Sequence, residues 1–230
     1  MLVALLLPMK TRVYQALFSL ALVFTALLGS DQSRAQTFSL PPADVDLIGA
    51  IHTAKVREDD TLLDVARRFG IGQDEIVLAN PAVDRWLPPV DAEVVIPARY
   101  LLPHAERNGI VLNVPEMRLY YFPPPKEGEP AVVKTYAVSI GRMDWATPLG
   151  LTKVLSKTED PSWTPPQSIR EEAEADDRPL PEVIPPGPDN PLGEYAMRLA
   201  RAGYLIHGTN KPFGVGMRVT HGCVRMYPED

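Results

Sequence analysis

One short stretch of the sequence gathers the residues that could do nucleophilic chemistry. Residues 206–226 read IHGTNKPFGVGMRVTHGCVRM and contain Cys223, the only cysteine of the 230-residue chain, together with His207 and His221. A thiol attacks only as thiolate, and its ordinary pKa of roughly 8.5 leaves it mostly protonated at neutral pH. An imidazole with a pKa near ~6.5 can take that proton, so the stretch predicts a cysteine nucleophile with a histidine base.

The glycine beside the cysteine predicts a tight turn. Gly222 comes directly before Cys223, and glycine permits backbone angles that other residues avoid. The N–H groups of Gly222 and Cys223 could therefore face a developing oxyanion. A buried, unreactive cysteine is the alternative, because a lone thiol often packs as a small apolar residue. The flanking histidine and glycines favour the reactive thiol.

His207, followed by Thr220-His221-Gly222-Cys223 and then Arg225, resembles the signature of the L,D-transpeptidase family, whose members have a YkuD-type catalytic domain. The resemblance is specific because several identities fall in order at a constrained spacing. A lone cysteine with a distant histidine would be a weak signal.

The resemblance implies a role for each residue of the stretch. Cys223 would be the nucleophile and His207 the general base, which later returns a proton to the leaving amine. In the family a backbone carbonyl just after this histidine orients it, and here that carbonyl belongs to Gly208. His221 and Thr220 are expected to line the same site. A structural histidine that braces the turn is the alternative for His221.

Arg225 supplies the positive charge of the signature, two residues after the nucleophile. Its planar guanidinium suits a carboxylate, so we expect it to bind a carboxylate of the substrate. A salt bridge to the acidic stretch at residues 171–177 is the alternative.

The expected substrate comes from the resemblance, since residue chemistry alone does not identify it. Members of the family attack the carbonyl of the third residue in a peptidoglycan stem tetrapeptide, release D-Ala and form a thioester. An amine then resolves the thioester, either from another stem, which gives a 3–3 cross-link, or from a lysine of an outer-membrane lipoprotein. Stem peptides and glycan strands are therefore the expected partners, and no metal or organic cofactor is required.

Other functions fit part of the pattern. A carboxypeptidase or endopeptidase that hydrolyses wall peptides would use the same two side chains, although such enzymes usually place the cysteine before the histidine. A metal site formed by His207, His221 and Cys223 lacks a fourth ligand in the sequence. A non-catalytic peptidoglycan-binding protein would be expected to have lost at least one of these residues.

The charge and the first residues indicate where the protein works. The formal net charge of −6 argues against nucleic acid as a partner, since binding to phosphates needs basic surface.

Lys10 and Arg12 precede an apolar run over residues 13–28, and residues 33–35 are Ser-Arg-Ala. These parts predict that residues 1–35 are a secretory signal peptide that directs the protein to the periplasm. A membrane anchor is the alternative, but the run is short for a span of about 20 residues.

Residues 52–98 have the pattern of a small mixed domain. A strand at residues 52–56 leads to a helix with apolar residues at helical spacing over residues 62–69, and a second helix opens at Asp74. A strand at residues 94–97 completes a β-α-α-β order. The segments VREDDTL, ARRFGI, LANP and VVIP resemble those of a LysM module, which implies binding to glycans that contain N-acetylglucosamine. A module used only for packing or dimerisation is the alternative.

The rest of the chain, residues 103–230, is predicted to be mainly β. Aromatic and β-branched residues alternate with polar ones in short segments between glycines and prolines, which is typical of a β-sandwich or barrel-like domain. The same stretches resemble the L,D-transpeptidase domain, which usually continues further beyond the cysteine, so a truncated C-terminus is expected. Residues 36–51 contain Pro41-Pro42 and are expected to be an extended linker.

A proline-rich segment interrupts the β pattern at residues 160–193. Nine prolines between Pro161 and Pro191 forbid a continuous strand or a long helix, apart from a short helix near residues 169–175. Apolar residues such as Trp163 favour an ordered loop that covers the active site over a disordered linker. Such a loop could restrain water near a thioester.

Overall fold

The computed structural model of the chain describes residues 36–230, where strands predominate over helices. The predicted signal peptide at residues 1–35 lies outside the described residues. No helix within the described part of the chain is long and apolar enough to span a membrane. The strands are, in chain order, β1 Gln36–Ser39, β2 Leu47–Gly49, β3 His52–Lys55, β4 Glu93–Ile96, β5 Arg99–Leu101, β6 Gly109–Asn113, β7 Arg118–Phe122, β8 Val132–Ala137, β9 Ile140–Gly141, β10 Val154–Glu159, β11 Tyr195–Leu199, β12 Leu205–His207, β13 Arg218–Thr220 and β14 Val224–Arg225. The helices are α1 Leu62–Arg68, α2 Gln73–Ala79 and α3 Gln167–Ala175, with a 3₁₀ turn at Pro212–Gly214.

The β-α-α-β order predicted for residues 52–98, here called the small domain, is confirmed. β3 pairs antiparallel with β4, and α1 and α2 lie between them in the chain. Helix α1 begins after Thr61, whose hydroxyl accepts from the backbone N–H of Asp64 at 3.1 Å while the Asp64 carboxylate accepts from the N–H of Thr61 at 2.9 Å. This capping box satisfies two N–H groups at the helix start. Apolar residues of the helices and β4 form the core, namely Leu62, Val65, Ala66, Ile76, Val94 and Ile96.

Residues 36–51, expected as an extended linker, contribute two strands instead. β1 lies at the edge of a four-stranded sheet, where it pairs antiparallel with β8. β2 pairs antiparallel with β5. Pro41-Pro42 follow β1 closely, and because proline has no N–H it ends a strand locally without preventing pairing on either side.

Two four-stranded sheets make up most of residues 103–230, here called the β domain. Their strand orders are β1-β8-β7-β6 and β10-β11-β12-β14. β6 and β7 form the predicted hairpin, and in the second sheet β12 pairs with β14 in parallel. Apolar residues of both sheets and of the segments next to them form one core, namely Leu119, Val138, Ile140, Ile206, Val224 and Met226. The mainly β fold predicted from the sequence is confirmed.

The small domain packs directly against the β domain. The backbone N–H of Gln73 donates to the carbonyl oxygen of Val215 at 2.8 Å. Gly216 has a φ of +88°, and a Cβ at this position would lie 2.3 Å from the Cα of Gly72. The close approach therefore requires glycine, and it fixes the start of α2 against the β domain.

A buried ion pair lies at the same interface. The side chain of Arg118 on β7 is 1% exposed, and its Nη2 lies 2.7 Å from Oε2 of Glu75 on α2. The guanidinium also lies over the ring of Tyr100, 4.0 Å from the ring centroid. A buried charge is tolerated when it has a partner, so Glu75 is the group that allows Arg118 to be buried.

Replacing Glu75 with alanine should leave the charge of Arg118 buried and unpaired. We expect E75A to lower the free energy of unfolding by about 3 kcal/mol, because the remaining charge is uncompensated. Urea denaturation at pH 7 measures the change. The control D74A removes a carboxylate from the same helix turn and should cost about 1 kcal/mol or less. The double variant E75A/R118M should recover much of the loss, and equal midpoints for E75A and D74A would contradict the prediction.

Candidate active site

The parallel pairing of β12 with β14 places His207 beside the strand that directly follows Cys223. Ile206 lies opposite Val224, and His207 lies opposite Arg225. Because side chains alternate along a strand, Ile206 and Val224 face the core, whereas His207 and Arg225 lie on the other face. The charge of Arg225 affects the pKa of His207 and that of Cys223, so both side chains lie near its guanidinium.

His207 is a neutral imidazole held by the backbone of Gly208 and of Leu192. Its Nδ1 lies 2.7 Å from the carbonyl oxygen of Gly208, which can only accept, so Nδ1 carries the proton and Nε2 is left as an acceptor. Burial first, and then the positive charge of Arg225, lowers the pKa of His207 to about 4. His207 is therefore uncharged at neutral pH, which is the form that a general base needs.

Cys223 rests as a thiol. Burial raises the pKa of its side chain, and a hydrogen bond from the backbone of Leu205 and the charge of Arg225 oppose that shift only in part. Its Sγ lies 3.9 Å from the carbonyl oxygen of Gly203. A neutral thiol and a neutral imidazole can exchange a proton as a carbonyl carbon is attacked, without a standing thiolate.

The turn that leads to Cys223 is braced by two hydroxyl groups. Oγ1 of Thr220 donates to the carbonyl oxygen of Cys223 at 2.6 Å, and Oγ1 of Thr147 donates to that of Gly222 at 2.9 Å. Gly222 has a φ of +94°, and a Cβ there would lie 2.6 Å from the ring of Tyr204, so the turn requires glycine. Thr220, expected to line the site, uses its hydroxyl inside the turn.

His221 contacts the proline-rich segment at residues 160–193. Its Nε2 lies 2.6 Å from Oε2 of Glu172 on α3, and its ring packs edge-to-face on Trp145 with centroids 4.5 Å apart. Arg142 donates to the other carboxylate oxygen of Glu172 at 2.6 Å. The contacts among His221, Trp145, Glu172 and Arg142 are not predictable from the sequence. The acidic stretch offers several carboxylates, and only tertiary contacts select Glu172 among them. His221 thus has the bracing contacts of the structural alternative.

Arg225 has no carboxylate partner among residues 36–230, and its Nε is buried without a hydrogen-bond partner. Burial lowers the pKa of its guanidinium. The alternative in which Arg225 pairs with the acidic stretch is wrong, because Arg142 makes that contact through Glu172. The unpaired charge of Arg225 lies near both Cys223 and His207, whose pKa values it affects.

The proline-rich segment is ordered and flanks the site at two places. Asn190 is fully buried, and its Nδ2 donates to the carbonyl oxygen of Pro161 at 2.7 Å, which closes the segment on itself. Gly193 packs against Thr209, where a Cβ would lie 2.7 Å from the backbone nitrogen. The second place is the contact between Glu172 and His221 described above.

The alternative function as a metal site would use His207, His221 and Cys223 as ligands. Within residues 36–230, no three His, Cys, Asp or Glu side chains lie close enough to hold a metal ion. The structure therefore does not assemble His207, His221 and Cys223 as ligands, and Nε2 of His221 is occupied by Glu172.

Comparison with known proteins gives a consistent picture. The family model described as YkuD, L,D-transpeptidase catalytic domain, matches residues 107–230. The Escherichia coli (strain K12) protein named "Probable L,D-transpeptidase YcfS" is 42% identical over 203 residues, which cover 86% of this chain and 62% of that protein. "Probable L,D-transpeptidase ErfK/SrfK" of the same strain is 40% identical over 210 residues, which cover 90% of this chain and 66% of that protein. The chain thus spans slightly less than two thirds of the length of these relatives.

A solved structure is also similar. The NMR structure of the catalytic domain from an E. faecium L,D-transpeptidase is 23% identical, covers 55% of this chain and 85% of that chain, and aligns with a TM-score of 0.36.

The rate at which iodoacetamide alkylates Cys223 reports its protonation state. Because the pKa of the thiol is raised and His207 is neutral, alkylation should be slow at neutral pH and should accelerate above about pH 9. Mass spectrometry follows the reaction at this single cysteine, with the urea-unfolded protein as the control. A plateau of reactivity around neutral pH, as a thiolate–imidazolium pair would give, would contradict the prediction.

The stability of the protein should depend on pH through His207. Its pKa is about 4 in the folded protein and roughly 6.5 in the unfolded chain, so the unfolded state takes up the proton first as the pH falls. The contribution of His207 to the free energy of unfolding should be constant above about pH 6.5 and should fall by about 2 kcal/mol on reaching about pH 5. Asp230, whose pKa is raised to about 7 by burial, acts in the opposite direction over the same range, so the contribution of His207 is read as the difference between wild type and H207Q. H207Q, whose uncharged amide can still donate to Gly208, should lose this part of the pH dependence. Identical urea midpoints for both proteins across this range would argue against it.

Proposed function

The chain belongs to the YkuD family of L,D-transpeptidase catalytic domains, and from this premise we propose that it is a peptidoglycan L,D-transpeptidase with Cys223 as nucleophile. The observation that supports the proposal is that Cys223 directly precedes β14, which pairs with the strand that ends at His207, and that the imidazole is neutral with its Nδ1 bonded to Gly208. With the proton on Nδ1, Nε2 is the nitrogen of the neutral ring that would accept the thiol proton.

In the first half of the reaction, Cys223 becomes acylated. Nε2 of His207 takes the thiol proton as Sγ attacks the carbonyl carbon of the third stem residue. The C–N bond to D-Ala then breaks, and the imidazolium of His207 gives its proton to the leaving amine. A thioester and free D-Ala result.

In the second half, an amine resolves the thioester. The neutral His207 takes a proton from the attacking amine, and the proton returns to the sulfur as the C–S bond breaks. The acceptor is a side-chain amine of another stem or a lysine of an outer-membrane lipoprotein. Both acceptors present a primary amine, so the same two residues serve either product.

Two groups would bind negative charge on the substrate, namely the backbone of the turn before Cys223 and the side chain of Arg225. Backbone N–H groups of Gly222 and Cys223 would hold the oxyanion of the tetrahedral intermediate, at about 3 kcal/mol of transition-state stabilisation per donor. Arg225 would bind a substrate carboxylate. Two observations support this role, since its Nε is buried without a partner and its charge lies near Cys223, whose pKa it affects.

The small domain and the N-terminus fit the same function. We assign residues 52–98 as a LysM module that binds glycan strands. Support comes from the β-α-α-β order and from the loop between α2 and β4, where Trp86 and Leu87 are 56% and 84% exposed and offer an apolar surface to sugar rings. The predicted signal peptide at residues 1–35 would bring the enzyme to the periplasm, where its substrate lies.

Incubation of the protein with disaccharide-tetrapeptides tests the proposed activity. Wild type should release D-Ala and form a cross-linked dimer, whereas C223A should do neither, because alanine cannot form the thioester. H207Q should retain the fold and lose at least about 100-fold in kcat. Mass spectrometry of the products measures both outcomes.

The products also separate the competing functions. Tripeptide without any dimer would identify a carboxypeptidase. Absence of turnover with a stem amine and with a lipoprotein lysine as acceptor would overturn the enzymatic proposal.

A further inference from the structure

A carboxylate of the proline-rich segment is bonded to the histidine that precedes the nucleophile turn. We propose that Glu172 is a positioning residue, which holds the imidazole of His221 through its Nε2–H and thereby fixes the turn that carries Cys223. The proposal deepens the proposed function and rests on it, because the turn matters for rate only if it serves the reacting cysteine.

The position of His221 is determined from two sides. Oε2 of Glu172 lies 2.6 Å from its Nε2, and the ring of Trp145 meets its ring at an interplanar angle of 71°. One contact restrains the direction of the ring edge and the other restrains its plane. Together they leave the side chain a single orientation next to Gly222.

Glu172 is the acceptor in this contact. The pKa of its carboxyl is lowered to about 2, first by the hydrogen bond from Arg142 and then by that from His221. The carboxylate is therefore ionised at any pH suited to the enzyme and has no proton to donate. The proton between the two side chains belongs to Nε2 of His221, whereas in His207 the bonded proton is on Nδ1.

Arg142 links the segment to the turn. Its Nη1 and Nη2 lie 2.6 and 3.2 Å from the two carboxylate oxygens of Glu172, and its backbone N–H donates to the carbonyl oxygen of Thr220 at 2.9 Å. Asp144 lies 3.2 Å from Nε of the same guanidinium. The charged groups around His221 are thus Glu172 from α3 and Arg142 with Asp144 from the loop after β9. Arg142 therefore bonds to the Glu172 carboxylate through its side chain and to the turn that leads to Cys223 through its backbone.

The solvent exposure of Glu172 and His221 determines whether their contact affects stability or reaction rate. The side chains of Glu172 and His221 are 37% and 26% exposed. Ion pairs this accessible contribute little to stability, so the fold does not depend on Glu172. Catalysis is more sensitive to geometry, because a shift of about 1 Å in a catalytic group can lower a rate by about 100-fold. The contact therefore acts on rate through the position of the turn.

Alanine at Glu172 tests the proposal in the full-length protein. E172A should lower kcat by about 10- to 100-fold and change KM for the tetrapeptide donor by less than about threefold. The matched control is E174A, which removes an exposed carboxylate from the same helix and should keep the wild-type kcat. E172D retains an acceptor and should recover part of the rate. Urea midpoints of all three variants should match that of wild type.

An NMR measurement tests the contact without relying on activity. In wild type and E174A, the Nε2–H proton of His221 should give a downfield resonance that exchanges slowly with water because a carboxylate holds it. The resonance should be absent in E172A. H221Q identifies it among the four histidines of the chain.

The outcomes separate this proposal from the proposed function. Equal kcat values for E172A and E174A, with an active wild type, would overturn the positioning role and leave the L,D-transpeptidase activity standing. Inactive wild type would remove the proposed function together with any effect of Glu172 on rate. In that case a His221 resonance unchanged in E172A would also refute the contact itself.

Discussion

The two-residue parallel ladder between β12 and β14 is the constraint on which the site depends. Ile206 and Val224 are 5% and 3% exposed, and burying them on one face of the strands requires that His207 and Arg225 lie on the other. A register shift of one residue in either strand would turn one of these polar side chains into the core. The ladder is short, and the backbone of Ser139 bridges β14 on its other side. Hydrophobic burial therefore decides which polar side chains meet.

The same burial sets the protonation states before a substrate arrives. Removal from water lowers the pKa of His207 and raises that of Cys223, and both shifts favour the uncharged form. Arg225 is the charge that remains on this face, and it disfavours the imidazolium. In the proposed mechanism a substrate carboxylate bound to Arg225 would offset that charge. Binding of the substrate would then itself make His207 a better proton acceptor, so the proton transfer would be coupled to occupancy of the site.

Sequence reasoning succeeds where the chemistry is local and fails where tertiary contacts choose among equivalent groups. The prediction that His207 acts with Cys223 rests on residue types within one short stretch, and the β-α-α-β order that the structure confirms follows from apolar spacing. The prediction of a linker at residues 36–51 is wrong because these residues form two paired strands. Prolines show where a strand must end, but they do not show whether the flanking residues pair with another strand. The alternative salt bridge of Arg225 is wrong because the distant Arg142 takes the carboxylate, and nothing in the local sequence ranks the two arginines.

The proline-rich segment connects the two sides of the site through contacts that are far apart in its own sequence. Gly193 packs against the backbone of Thr209, two residues after His207. Glu172 contacts His221 in the turn that leads to Cys223. Prolines restrict the unfolded chain, so ordering this segment loses less conformational entropy than ordering a flexible loop of equal length, and a few contacts suffice to hold it. A thioester meets an amine before it hydrolyses only if water near it is restrained. In the proposed reaction, a segment that contacts the chain after His207 and also contacts His221 would restrain water near the thioester. The preference for aminolysis would then come from the ordered segment, and the cysteine and histidine alone would not provide it.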